Sequence, residues 1–124
     1  MRLLLDTHAA LWWLSGDERF GEAAANALTD GSNEVLLSAA VILEISIKRS
    51  LGKLDAPIGL ANTLLDAGAV ALPVTIEHAA AVEQLPWHHR DPFDRLLIAQ
   101  AGVELATLVS RNAALGAYGV TVLW

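Results

Sequence analysis

The sequence predicts an α/β fold with a mostly parallel central sheet, because short apolar runs alternate along the chain with segments of helical pattern. The first run, residues 3–5, consists of consecutive leucines with no polar alternation, which is typical of a strand covered on both faces. At 124 residues the chain is long enough for one domain with a substantial core. No repeat or linker divides it, so we expect a single domain over residues 1–124.

Five segments are predicted to form strands, since they are short, mostly aliphatic and separated by helical patterns or turn residues. They cover residues 2–5, 35–37, 70–72, 107–109 and 120–123. Helix start signals mark several of the intervals: Ser38, Thr75 and Asp91 are suitable N-caps, and Pro92 suits a first helical position. The predicted helices cover residues 39–51, 76–85 and 92–104, and a further helix opens at Pro57 after a connection over residues 52–57.

Trp12 and Trp13 follow the first strand in a segment expected to be helical. Adjacent helical residues point about 100° apart, so the two indoles cannot easily share one core face. Either one of them lies in a groove, or a wide buried stripe takes both rings.

The composition excludes several classes of protein. Without cysteine the chain has no disulfide, thiol nucleophile or zinc finger. The longest uncharged apolar stretch, residues 35–43, is well short of the ~20 residues needed to cross a bilayer, and Asp6 and His8 interrupt the N-terminal apolar run before it resembles a signal peptide. We therefore expect a cytoplasmic protein with no membrane partner. A mean hydropathy of +0.44 beside a net charge of -6 suggests that apolar surface meets a partner.

Asp6 is the first candidate site residue, because it directly follows the buried run at residues 3–5. Open parallel sheets bind ligands outside the carboxyl ends of their strands. An equally plain interpretation is that Asp6 caps the next helix or closes a turn.

Glu44 is the second candidate, since it interrupts an otherwise apolar helical face less than two turns from the predicted helix start. Its simpler role is an ion pair with Lys48, worth about 0.2–0.5 kcal/mol. Asp94 is the third, at the third helical position after the Asp91 cap, where an acid also interacts favourably with the helix dipole. For Asp91 itself, capping is the preferred interpretation.

The first turns of helices and the strand ends share one edge of a parallel sheet, so Asp6, Glu44 and Asp94 are expected to converge there. Converging carboxylates repel one another and are usually relieved by a divalent cation. All-oxygen ligands suit Mg²⁺, with Mn²⁺ as a substitute. His88 and His89, beside Trp87 and Arg90, are more typical of a solvated or substrate-contacting turn than of a zinc site.

Five segments together carry a resemblance: LLLDTHAALWW, LSAAVILEISIKRSLGKL, DPFDRLLIAQA, LVSRN and YGVTVLW. Over essentially its whole length the chain resembles a PIN-domain ribonuclease of the VapC-like toxin class of type II toxin–antitoxin pairs. The resemblance implies a three-layer α/β/α sandwich and a Mg²⁺-dependent endoribonuclease. It also implies a homodimer that is inhibited by a cognate VapB-like antitoxin and whose substrate is RNA.

By the same resemblance, Asp6, Glu44 and Asp94 match the family's acidic metal-binding residues. Asn112 departs from the pattern, because many members have an aspartate there; an amide offers one carbonyl oxygen but no charge. Asn112, Asp91 and Thr7 are further candidates. Basic residues flank the acids, and the expected RNA-contacting residues are Lys48, Arg90, Arg95 and Arg111, although solvated surface charge is their commoner role.

Two other functions fit part of the pattern. An aspartate-dependent phosphotransfer enzyme would also place an acid such as Asp6 after its first strand, but His8 stands where the phosphatase pattern needs a second acid. A non-catalytic PIN-like module that only binds a partner is suggested by Asn112 and by an exposed tryptophan.

Overall fold

The computed structural model describes residues 1–124 and contains one five-stranded sheet. The strands are β1 (Arg2–Leu5), β2 (Glu34–Ser38), β3 (Val70–Leu72), β4 (Thr107–Val109) and β5 (Val122–Leu123). Their order in the sheet is β3-β2-β1-β4-β5, and every neighbouring pair is parallel. The predicted parallel α/β sandwich is confirmed, with β1 at the centre of the sheet.

Six α-helices connect or flank these strands: α1 (Thr7–Ser15), α2 (Glu22–Thr29), α3 (Ala39–Ser50), α4 (Leu60–Asp66), α5 (Ile76–Ala81) and α6 (Pro92–Glu104). Short 3₁₀ helices occupy Val82–Gln84 and Ala113–Tyr118. None of the helices has the length and apolar character needed to span a membrane.

The hydrophobic core centres on β1, whose three leucines at positions 3–5 have no exposed surface. Helices on both sides of the sheet and the neighbouring strands β2 and β4 cover them, as the unbroken apolar run predicts. The first polar side chain after this strand therefore emerges at the edge of a fully buried layer.

Most predicted elements are confirmed, with differences at their ends. The strands β1, β3 and β4 and the helix α6 have the expected bounds, whereas β5 is shorter than predicted and the helix expected over 76–85 changes to a 3₁₀ turn after Ala81. The prediction that Pro57 opens a helix is wrong. Helix α4 begins at Leu60, after Gly59 in a left-handed conformation (φ 81°), and the Pro57 carbonyl accepts a hydrogen bond from Arg49 instead.

A buried polar network connects three helices beneath the sheet edge. Ser38, the N-cap of α3, donates its hydroxyl to Gln100 Oε1 (2.5 Å), and Gln100 has no exposed surface. His78 in α5 accepts the Thr75 backbone N–H at Nδ1 (3.0 Å), so its Nε2 carries the proton and donates to Glu104 (2.8 Å). This network fixes the start of α3 relative to α5 and α6.

The Glu104 contacts predict a pH dependence of stability. The hydrogen bond from His78, followed by that from Arg2, lowers the pKa of Glu104. A carboxyl with a depressed folded-state pKa stabilises the fold above its ordinary pKa, and this contribution is lost as the pH falls through the folded-state value. Glu104→Gln should therefore have a lower Tm than the wild type near neutral pH, and the difference should narrow as the pH falls below the ordinary glutamate pKa of 4.5. A difference that widens in acid would contradict this, as measured by thermal melts across pH.

Four aromatic rings form a continuous cluster under α1. Trp12 meets Trp124 edge-on (centroids 5.8 Å apart), Trp124 contacts Phe20 (4.9 Å), and Phe20 contacts Trp13 (5.2 Å). Gly21 lies so close that a Cβ there would come 2.3 Å from the Trp124 carbonyl carbon. The missing side chain at Gly21 is what lets Trp124 pack against the cluster.

Substituting Gly21 should therefore destabilise the protein. Gly21→Ala forces backbone and indole apart, and overpacking of this kind costs about 1–3 kcal/mol. Gly102→Ala is the matched control, because it lies within α6 with no atom within 4 Å of its added methyl group; it should stabilise the protein by about 0.4–1 kcal/mol. Chemical denaturation of both variants provides the measurement, and equal effects would contradict the packing argument.

Candidate functional site

A polar cavity of about 430 Å³ opens where the carboxyl ends of β1 and β4 meet the first turn of α6. One lining residue is apolar and the others carry acids, bases or amide and hydroxyl groups. The lining residues are Asp6, His8, Trp12, Asp94, Ser110, Arg111 and Asn112. Asp6 and Asp94, from distant parts of the chain, therefore line one cavity at the sheet edge where the topology places them.

Asp6 ends β1 and begins α1. Its backbone N–H donates to the Val109 carbonyl (3.1 Å), and its Oδ1 accepts the Ala9 N–H (2.8 Å) as the N-cap of α1. Burial raises the pKa of Asp6, against hydrogen bonds from Ser110 and Ala9, and the charge of Asp94 raises it further. Capping and a place in the cavity are thus compatible for Asp6.

Asp94 stands in the first turn of α6, directly above its cap. Asp91 Oδ1 accepts the N–H groups of Phe93 (2.9 Å) and Asp94 (3.0 Å), so the capping interpretation of Asp91 is confirmed. His89 Nε2 donates to Asp94 Oδ2 (2.8 Å). Burial raises the pKa of Asp94, and the charges of Asp91 and Glu44 raise it while the His89 hydrogen bond lowers it.

Glu44 is buried beside this cavity and does not line it. Its Oε1 accepts the Thr7 hydroxyl (2.5 Å) and its Oε2 accepts Lys48 Nζ (2.6 Å). The expected Glu44–Lys48 pair is present, and hydrogen bonding to Glu44 is the main reason that the pKa of Lys48 is raised. Thr7 follows Asp6 directly, so Glu44 is one hydrogen bond away from the strand end that carries Asp6.

The donor set of the cavity fits a magnesium ion in part. No three acidic or histidine side chains stand close enough to hold a cation between them. Mg²⁺, however, usually keeps several waters and is bound through one or two carboxylates together with substrate phosphates. Two carboxylates with raised pKa values, Asp6 and Asp94, which line the cavity together with the hydroxyl-bearing Ser110, match that requirement.

Asn112 lines the cavity from the start of a 3₁₀ helix that the sequence analysis did not predict. Its Oδ1 accepts the Ala114 N–H (3.2 Å), and its own N–H donates to Ser110 Oγ (3.1 Å). The Asn112 amide oxygen is therefore used as a cap. Neighbouring Arg111 is exposed and takes part in none of the ion pairs.

The expectation that Arg95 contacts RNA is wrong, because its side chain is buried (3% exposed). Its guanidinium donates to the Tyr118 hydroxyl and to the backbone carbonyls of Val82, Leu85, Pro86 and His89. It also packs 3.9 Å from the Trp87 ring centroid. Arg95 therefore fixes the loop that presents His89 to Asp94. Its hydrogen bonds to distant carbonyls could not be predicted from local sequence.

His8 and Trp12 line the cavity, although neither is among the site residues predicted from the sequence. Both lie on α1, two and six residues after Asp6, where helical spacing of about 3.6 residues per turn puts positions four apart on one face. The spacing of His8 and Trp12 after Asp6 therefore indicates, from sequence alone, that both can lie on one face of α1. Trp13 instead packs against the core, so the two adjacent indoles separate between core and cavity.

Removing the charge of Asp6 should stabilise the protein when no metal is present. Asp6→Asn keeps an N-cap acceptor for Ala9 and deletes a buried charge near Asp94, which should raise stability at neutral pH by about 0.5–2 kcal/mol. Asp55→Asn, at an exposed loop position, is the matched control and should change little. Denaturation in the presence of a chelator measures both, and a destabilised Asp6→Asn would show that burial of this charge is not a cost.

Comparison with known proteins identifies a matching protein family and a set of solved structures with the same fold. The family model described as PIN domain matches residues 3–120. A comparison with curated protein sequences finds no match.

Several solved structures superpose on nearly the whole chain. VapBC2 from Rickettsia felis, solved with a DNA fragment from their promoter, has a TM-score of 0.72 at 15% identity and covers 98% of this chain and 97% of its own. Mycobacterium tuberculosis VapC20, described as a Sarcin-Ricin loop cleaving toxin, has a TM-score of 0.68 at 21% identity and covers 96% of each chain. FitAcB from Neisseria gonorrhoeae has a TM-score of 0.63 at 22% identity, covering 97% of this chain and 95% of its own. These likenesses establish a shared fold.

Proposed function

The chain belongs to the PIN domain family, and on that premise we propose that it is a metal-dependent endoribonuclease acting as the toxin of a toxin–antitoxin pair. The observation that carries the proposal is the shared cavity of Asp6 and Asp94 at the carboxyl edge of the sheet. The fold likeness to VapC20, a toxin described as cleaving the sarcin-ricin loop, supports RNA as the substrate class.

In this proposal Asp6 and Asp94 hold Mg²⁺, or Mn²⁺ in its place. The bound ion would polarise the scissile phosphate and lower the pKa of a water for in-line attack. The protein contributes fixed positions: the Ala9 N–H orients the Asp6 carboxylate, and His89 orients that of Asp94. Burial of both acids explains why a cation would be favoured there, because it neutralises charge that water cannot fully solvate.

Glu44 is proposed as the third acid of the site, either as a further ligand or as the group that orients the attacking water. Both of its oxygens are already bonded to Thr7 and Lys48, so we favour an indirect contribution through the Thr7 hydroxyl next to Asp6. Groups that orient metal ligands in this way typically affect metal affinity or activity by about 10- to 100-fold.

Substrate phosphate would be attracted by local cations in spite of the net charge of -6. Arg111 lines the cavity and is unpaired, and Arg90 is exposed in the loop before α6. Lys48 is a weaker candidate for RNA contact because it is held by Glu44. We expect modest RNA affinity that falls steeply with salt.

A VapB-like antitoxin is the proposed inhibitor, and a homodimer in the cytoplasm is the proposed form of the toxin. The solved relatives include toxin–antitoxin complexes, among them VapBC2. Large apolar side chains remain exposed along α3 and the following loop, namely Leu43, Ile47, Leu51 and Ile58, and this surface favours association with another chain.

RNA cleavage with added Mg²⁺ is the decisive measurement. Asp6→Asn and Asp94→Asn should each reduce the cleavage rate by on the order of 100-fold or more, because the metal's charge stabilisation is lost. Glu44→Gln should cost less, about 10- to 100-fold, and a chelator should abolish cleavage by the wild type. Asp55→Asn, away from the cavity, should leave the rate unchanged.

Two outcomes would contradict this assignment. Full activity in Asp6→Asn would remove the proposed metal site. Mg²⁺ binding by calorimetry without cleavage of any RNA pool would favour the partner-binding module instead, an alternative supported by Asn112 in place of an acid and by the position of Glu44 outside the cavity.

A further inference from the structure

Trp12 is the one apolar residue that lines the acidic cavity, and its indole is only half-buried. Its neighbours on the cavity side are polar and mostly exposed: the His8 ring lies 5.1 Å from the indole centroid, and the Arg111 guanidinium lies 5.7 Å from it. An indole in the core would be covered by aliphatic side chains, as Trp13 is. Trp12 instead presents aromatic surface to the place where substrate is expected.

The Trp12 ring contacts one aromatic ring and two arginines, and the two arginines differ in their other partners. Trp124 meets it edge-on, and Arg19 lies 4.5 Å over the ring while its guanidinium is fixed to Asp17 by two hydrogen bonds (3.0 and 2.8 Å). Arg111 has no such partner. Arg111 can therefore contact a phosphate without breaking an ion pair.

We propose that Trp12 is a stacking platform for one nucleobase of an unpaired RNA segment, next to the phosphate that Asp6 and Asp94 address. This inference rests on the proposed endoribonuclease function and adds the form of the substrate. Aromatic side chains and arginine guanidinium planes are the usual platforms for splayed-out bases, which duplex RNA cannot offer because its bases are already stacked. Arg111 contacts the adjoining phosphate, and His8 borders the base.

The test separates base stacking from charge. The probes are a short fluorescein-labelled single-stranded RNA of randomised sequence and a ribose-phosphate oligomer of the same length without bases. Binding is measured by fluorescence anisotropy in chelator, so that no cleavage occurs. Trp12→Leu should weaken binding of the RNA by roughly 5- to 100-fold and leave binding of the base-free oligomer unchanged, because the indole offers a stacking face to a base and no charge to a phosphate. Arg111→Gln should weaken binding of both probes.

Trp13→Leu is the matched control, because it makes the same change in the same aromatic cluster outside the cavity. It should leave the preference for RNA over the base-free oligomer unchanged. If Trp12→Leu does not fold, Trp12→Phe serves instead. It keeps an aromatic face and should retain part of the preference, with an intermediate affinity for RNA and no change for the base-free probe.

The inference is overturned if Trp12→Leu binds RNA as well as the wild type does, or if it loses affinity for both probes equally. Trp12→Phe that loses affinity for both probes equally would also overturn it. RNA cleavage by the wild type with Mg²⁺ is measured separately. If the wild type cleaves RNA and Trp12→Leu binds it normally, only the stacking platform is rejected. If RNA binding depends on Trp12 but the wild type does not cleave RNA, the nuclease proposal is rejected and the stacking platform is supported.

Discussion

The site depends on one constraint: a carboxylate must emerge at the end of a strand that is buried on every side. Asp6 meets this constraint through two hydrogen bonds: its backbone N–H donates to the Val109 carbonyl in β4, and its side chain accepts the Ala9 N–H in α1. The first continues the sheet and the second starts the helix, so the chain turns from strand to helix at Asp6 without exposing an unpaired backbone group. The acid is left buried, and this burial raises the pKa of Asp6 above its ordinary value.

The other cavity acid is positioned by a different means. Asp94 takes its place from the Asp91 cap and from the buried guanidinium of Arg95, which collects the carbonyls of the preceding loop. The same loop carries His89, whose Nε2 is hydrogen-bonded to Asp94 Oδ2. A buried arginine without an acidic partner is tolerated because several carbonyl dipoles share its charge. The position of Asp94 in the site therefore depends on the stability of this loop.

Charge in this molecule is organised locally, and the net value of -6 conceals it. The Glu44 carboxylate is paired with Lys48 and accepts the Thr7 hydroxyl, and Asp17 is paired with Arg19. The charge of Glu44 still acts on Asp94, whose pKa it raises. What remains free there is a pair of acids, one unpaired arginine and one indole surface. A cation, a phosphate and a base are the ligands that such a combination accommodates, and they occur together in a metal-bound nucleic acid strand.

The sequence by itself determined the parallel α/β architecture, most element bounds and the meeting of Asp6 with Asp94. Those features follow from local signals, an unbroken apolar run, helix caps and the common edge of strand ends in a parallel sheet. Only the tertiary structure decided which side chains reach the cavity. Glu44 turns to Thr7 and Lys48, Arg95 is buried by carbonyls of a loop that precedes it, and the adjacent indoles of Trp12 and Trp13 separate between cavity and core. The directions of these side chains depend on packing between segments that are distant in sequence. The local sequence permits several rotamers for each of them, and the hydrogen bonds and space available in the folded protein select one.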